Sequence, residues 1–343
     1  MSDPDRREYE GISVCARKGA RFYCYGDGFC CSDIHSLGPL DEPEQAVIAL
    51  ISPDAMQKSA DGEFSLAMSE SGSCVFLTDS GCAIHAALGA AAKPSACRRF
   101  PMGLIKTPTH ARLTTEHRCP CRTYGDRPLV DIASLIAAVQ SEEGELLFDH
   151  QVGSVIAIDA DRTLPFEEYE AIESELIEQL LKGSGFRSIL QAEPFPNRSG
   201  QSWVGISHAL VNVYADGTRL DAALKWMGAA IAFLVEREPR QSIPRPWANA
   251  FRRTSEREDD SLSPGHAFGD WIADKLWAMH WTRLGSLRRA RVQWSTELAI
   301  ARRIAAWLME DGMAEKLAIA EAICIVDVGS LSSAWDEICE KMF

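Results

Sequence analysis

The chain has no apolar run long enough to cross a bilayer. Its longest, Trp226 to Val235, falls far short of the roughly 20 residues that a spanning helix needs. The opening residues, MSDPDRREYEG, are polar and lack the apolar core of a secretory leader. These two absences point to the cytoplasm, where thiols stay reduced. Positive charge is also scarce: 35 Lys and Arg stand against 49 Asp and Glu, a net charge of -14. That excess repels a phosphate backbone at long range, so broad nucleic-acid binding is disfavoured. There is no strand followed by a glycine-rich turn and helix of the kind that cradles a nucleotide. No Ser-His-Asp order or carboxylate pair stands out as catalytic, and there is no internal repeat or low-complexity tract.

What the chain does have is cysteine. There are eleven, and nine of them (Cys15, Cys24, Cys30, Cys31, Cys74, Cys82, Cys97, Cys119 and Cys121) fall within the first 121 residues. In a reducing compartment such density points to metal ligation rather than to disulfides. Crowded thiolates repel one another unless a cation neutralises them, and four satisfy either a tetrahedral zinc ion or a four-iron cluster. Nine cysteines supply two such sites, or one site plus packed thiols. Cys324 and Cys339 lie on apolar helical faces and read as buried thiols.

Local sequence supports ligation. Between Cys24 and Cys30 two glycines let the backbone curl so that amide N–H groups face sulfur. Cys30 and Cys31 are harder to use as a pair, because adjacent side chains diverge in an extended chain. They are expected to serve different sites, or only one of them to bind. Cys74-Val-Phe-Leu and Cys82-Ala-Ile-His flank Thr78-Asp79-Ser80-Gly81, which predicts a hairpin with positive φ at its last loop position and the two cysteines close together. Cys119-Pro-Cys121 puts both thiols on one side if it is extended. His35, His85, His110 and His117 are further candidate ligands, His117 foremost because it lies two residues before Cys119. A surface or core role is the alternative for each.

The fold expected is α+β: a small, loop-rich cysteine and metal domain with short hairpins over residues 1–126, then a mostly α-helical domain over 127–343. In the first, Pro43 to Leu50 reads as a helix capped by Asp41 with Glu44, Asp54 to Gly62 as a surface loop, and Phe64 to Met68 as a strand. In the second, Phe166 to Leu181 carries apolar residues at helical spacing after Pro165. Leu190 to Gln201 reads as a connector. Helical patterns resume over Leu220–Glu238, His266–Leu284, Leu287–Met309, Met313–Val326 and Leu331–Met342, with Arg240 to Pro264 as a long loop. Trp226, Trp271, Trp277, Trp281, Trp294 and Trp307 read as packing residues, one or two of them candidates for lining a pocket between the domains. Arg98 and Arg99 are candidates to donate to cluster sulfurs or to an anion, and the arginines of 288–303 form a solvated helical face.

The string Cys30-Cys31, Cys74-Val-Phe-Leu, Cys82-Ala-Ile-His and Pro94-Ser-Ala-Cys97-Arg98-Arg99-Phe100-Pro101 resembles the YkgJ-type zinc- or iron-chelating cysteine-cluster family, which includes the flagellin lysine-N-methylase. The resemblance covers residues 22 to 121. It departs where the family has a further cysteine after Cys24, a stretch that here reads Gly26-Asp27-Gly28; Cys15 or Asp27 compensates, or the site is one ligand poorer. It implies a bound iron–sulfur cluster (4Fe-4S) or zinc. It also implies an alternative, methyl transfer from S-adenosylmethionine to lysines of a protein substrate, although the CxxxCxxC spacing of radical enzymes is missing. A third reading is a structural module, metal stapling the front domain while the helical half binds a partner protein.

Overall fold

The computed structural model describes residues 6–343 apart from positions 27, 60, 71, 80, 90, 91, 125, 142, 184, 199, 213–217, 256–263 and 284, so Asp27, Ser80 and part of the Arg240–Pro264 stretch lie outside the described residues. Strand alternation builds a mixed five-stranded sheet in the order Arg6–Tyr9, Ile12–Ala16, Ala111–Thr115, Met102–Lys106, His150–Gln151. The first two strands form an antiparallel hairpin. Ile12–Ala16 then runs parallel to Ala111–Thr115, and Met102–Lys106 pairs antiparallel with the latter, Leu104 opposite Leu113. Because side chains alternate across a sheet, Leu104 and Leu113 enter one core with Val14, Ile132, Ile136 and Val139, while Ile105 enters the larger helical core. The sheet continues past residue 126: Leu129 bridges to Arg21, and His150–Gln151 pairs with Met102–Lys106. The compositional boundary near Arg122–Pro128 therefore does not coincide with the edge of the sheet.

Between the sheet's two hairpins the chain makes a small lobe with its own core of Leu37, Leu40, Ile48, Leu66, Phe76 and Ile84. Its helix, Glu42–Ile51, starts as the sequence predicts: Asp41 accepts from the Glu44 N–H at 2.8 Å, and Glu44 accepts from the Asp41 N–H at 3.1 Å. Asp54 to Gly62 is not all loop, since Met56–Lys58 pairs with Phe64–Leu66.

The remainder is helical, and with 51% helix and 15% strand the protein is α+β. Phe166–Leu181, Arg219–Glu236, Pro264–Ala278, Leu287–Glu310, Glu315–Gly329 and Ser333–Met342 sit where apolar spacing predicts them. Further helices go beyond it, among them Ile132–Leu135, Phe186–Leu190 and Trp203–Asn212, and Ala248–Ser255 inside the stretch read as a long loop. Among the described residues no single helix is long and apolar enough to cross a membrane.

Two features lock the helices to each other and to the sheet. Gly183, Gly265 and Gly269 let the helix Pro264–Ala278 touch the C-terminal end of Phe166–Leu181 backbone to backbone; a methyl group on Gly269 would overlap the Leu180 carbonyl. Gly269→Ala is expected to destabilise the protein by about 3 kcal/mol, read as a lower thermal midpoint. Gly205→Ala, where an added methyl group would meet nothing nearer than the Ser202 Cβ at 3.9 Å, is expected to be neutral or stabilising by up to about 1 kcal/mol.

The second lock is ionic. Arg17 and Arg122 meet Asp270 and Asp274 where the sheet faces Pro264–Ala278, all four buried. Arg122 reaches Asp270 at 2.6 Å and Asp274 at 2.5 Å, and Arg17 reaches Asp274 at 2.5 Å. Burial works against both carboxylates, but the two guanidinium groups outweigh it and hold them well below the usual range.

Candidate metal centre

The lobe folds around sulfur. Gly26 and Gly28, at φ 71° and 78°, turn the chain so that the Cys31 N–H meets the Gly28 carbonyl at 3.0 Å. The Cys31 carbonyl accepts from the Cys74 N–H at 2.9 Å, which fixes Cys74 beside the CysCys pair. The hairpin forms as predicted, Leu77–Thr78 against Gly81–Cys82 with Gly81 at φ 109°. Its second arm differs from expectation: Cys82 is not followed by a strand but caps the helix Ala83–Leu88. A short helix, Ser95–Arg99, carries Cys97.

The outcome is one enclosed cavity lined by Cys30, Cys31, Cys74, Cys82 and Cys97, walled by Leu37, Leu66, Phe76 and Ile84 and faced by Lys93. Cys30 and Cys31 therefore both line this cavity. The Cys31 thiol hydrogen-bonds to both Cys30 and Cys82, which pushes it up together with burial. Cys82 receives that bond and is pulled down to about 5, burial opposing and the Lys93 ammonium assisting. Burial pushes Cys97 up to about 12 and Cys74 upward as well. Burial also opposes the charge on Lys93, yet the thiols of Cys30, Cys24, Cys97 and Cys31 raise it. Five sulfurs beside the half-buried Lys93 ammonium make a donor set that suits a soft metal.

Spacing bears on which metal. Four thiolates at about 2.3 Å from one zinc ion lie about 3.8 Å apart. Among the described residues no three cysteine sulfurs lie mutually within 4.8 Å; the trio that does meet that distance is His208, Glu236 and Glu238 on the surface. The sulfurs are thus more open than a single ion requires, and a multi-iron cluster spreads its thiolates further.

No family model, curated protein or solved structure matches the chain. The likeness to the cysteine-cluster family accordingly rests on the motifs quoted above.

The other candidates fall elsewhere. Cys24 is exposed at the cavity's margin, close enough to Lys93 to influence it. Cys15 lies on the sheet, its sulfur 3.2 Å from the Arg6 guanidinium. Cys119 and Cys121 are buried with the sheet core, and the segment is helical rather than extended: Cys119 caps Pro120–Thr123 and Cys121 sits inside that turn. The Cys121 sulfur accepts the Tyr25 N–H at 3.2 Å. None of the eleven cysteines, all of them described, is joined in a disulfide.

Three of the four candidate histidines are otherwise engaged, and His85 is exposed on the helix Ala83–Leu88. His117, the foremost candidate, gives both ring nitrogens to the ionic network, to Asp274 at 3.0 Å and Thr123 at 3.2 Å. His35 stacks on Phe100 with ring centres 4.6 Å apart and bonds the Cys30 carbonyl at 2.7 Å; burial pushes it down to about 4. His110 is buried against Arg112 and is likewise pushed down to about 4 by burial and that guanidinium. Arg98 is spent on the Lys93 carbonyl at 2.7 Å and Arg99 on Asp149 at 2.8 Å. Lys93 is the residue that sequence reasoning missed; its only signal is its place just before the Pro94-to-Pro101 motif.

His35 and His110 dictate an acid response. Their folded-state pKa lies below the unfolded value near 6.5, so between about 6.5 and 4 the unfolded chain binds more protons. Stability is expected to be full above that window and to fall as pH drops through it, on the order of 2 kcal/mol per imidazole. Denaturant titrations at pH 7.5 and about 4.5 check it, and His35→Gln should flatten the slope.

Proposed function

We propose that the protein carries an iron–sulfur cluster held by Cys30, Cys31, Cys74, Cys82 and Cys97, with Cys24 at the margin as a further sulfur. The observation that carries this reading is the convergence of five cysteines, from four separate stretches of chain, on one apolar-walled cavity beside the half-buried Lys93. Such a centre stores or relays electrons, or staples the lobe. Retention of so many reduced thiols belongs with a cytoplasmic protein.

Zinc is the second reading, favoured by the contacts of Cys31 with both Cys30 and Cys82. Elemental analysis and the visible spectrum of oxygen-protected protein decide between them. Iron with acid-labile sulfide and a broad band that bleaches on reduction is expected; a colourless sample with stoichiometric zinc overturns the cluster. Methyl transfer from S-adenosylmethionine to a protein lysine is the remaining alternative, and it needs a site other than the one the sulfurs occupy. Calorimetry without heat on adding S-adenosylmethionine would remove that alternative.

A further inference from the structure

Away from the sulfur lobe, a cleft of ≈ 430 Å³ opens between the strand end Thr114–Arg118 and the helices. That is ample for a small metabolite, since such pockets run from about 300 to 1,000 Å³. The indoles of Trp271, Trp281 and Trp294 line it. Most of its charges are already matched. Glu116 pairs with Arg118, Asp274 belongs to the arginine network, and Lys275 lies 2.9 Å from Asp327 and 3.2 Å from Glu297.

Three groups are left over among the described residues. Trp281 is buried, yet its indole N–H has no partner; an unmet buried donor costs about 1–3 kcal/mol unless something fills its place. Arg283, on the same turn His280–Arg283, donates only to neutral acceptors, the His150 ring at 3.0 Å and the Asp149 carbonyl at 2.6 Å. Asp336, on Ser333–Met342, lines the same cleft and its carboxylate has no hydrogen-bond or ion partner. One wall thus offers two donors, one of them cationic, and another element offers an anion, with indole surface in the same cleft. A purely anionic ligand would leave Asp336 against it, and a purely cationic one would leave Arg283.

We propose that this cleft binds a small zwitterion of the α-amino acid type, its carboxylate on Arg283 and the Trp281 N–H, its ammonium on Asp336, and its side chain against the indoles. The test is calorimetry on the full-length, metal-loaded protein with L-leucine and L-lysine as probes and with propionate and butylamine as singly charged controls. At least one amino acid is expected to bind saturably, at least about tenfold more tightly than either control. Asp336→Asn and Arg283→Gln, both exposed positions, are each expected to weaken binding about tenfold or more, and Trp281→Phe to weaken it several-fold. No heat from either amino acid up to about 10 mM, equal binding of a control, or full affinity in Asp336→Asn overturns the proposal. Iron measured on the same samples should match wild type, because none of these residues lines the sulfur cavity; the cluster reading and this one therefore fail separately.

Discussion

The double variant Cys82→Ser/Cys97→Ser is expected to purify with less than about a tenth of the wild-type metal, and its front lobe is expected to lose cooperative unfolding. Five sulfurs line the cavity, and the two exchanged come from separate stretches of chain, Cys82 being pulled down toward the thiolate and Cys97 pushed up by burial. A serine oxygen is a hard ligand that neither iron–sulfur clusters nor structural zinc accept well. Metal release should cost on the order of 10 kcal/mol of folding free energy, as in other small metal-stapled units. Hydrogen exchange reads this directly: protection should collapse over residues 28–97 and persist in Leu287–Glu310 and Glu315–Gly329. Cys15→Ser and Cys339→Ser, outside the cavity, should keep full metal. Should the double variant retain its metal while Cys119→Ser loses it, the ligands are those of the sheet core instead.

The second large effect belongs to Arg122. Replacing it with Met keeps most of the bulk but leaves Arg17 as the one guanidinium facing two buried carboxylates, with the His117 ring still on Asp274. Stripping one partner from such a group costs about 3–5 kcal/mol, so Arg122→Met should lower the thermal midpoint by roughly 5–10 °C. Adding Asp270→Leu restores the charge balance and should recover most of that loss, a positive coupling in a double-mutant cycle. A single variant as stable as wild type would show that water reaches these carboxylates and screens them.

Much of this was readable from local chemistry. Asp41 and Glu44 announce their helix because a capping box is satisfied within four residues, and Gly81 announces its hairpin because the turn needs positive φ there. The five long core helices declare themselves through spacing alone. What stayed hidden depends on contacts far along the chain. Cys119-Pro-Cys121 reads equally as extended or as a helical first turn, since proline suits both, and tertiary packing selects the turn. His117 looks like a ligand by its distance from Cys119; its actual partner, Asp274, lies 157 residues on. Cys30 and Cys31 share a cavity because a tight turn after Gly28, not an extended strand, carries them. Lys93 and the three leftover groups of the cleft have no motif, being defined by what surrounds them rather than by neighbours in sequence.

The pairing of Arg17 and Arg122 with Asp270 and Asp274 also sets an order of events at the ribosome. Arg17, just past the strand Ile12–Ala16, and Arg122, in the helical turn Pro120–Thr123, emerge 253 and 148 residues before Asp270, so even Arg122 waits roughly 7 to 30 s at about 5–20 residues per second. Throughout that interval the nascent front unit presents two arginines on a surface destined for the interior. It completes itself only when the later helix arrives, so truncated chains ending before Asp270 should be prey for chaperones and proteases rather than stable fragments.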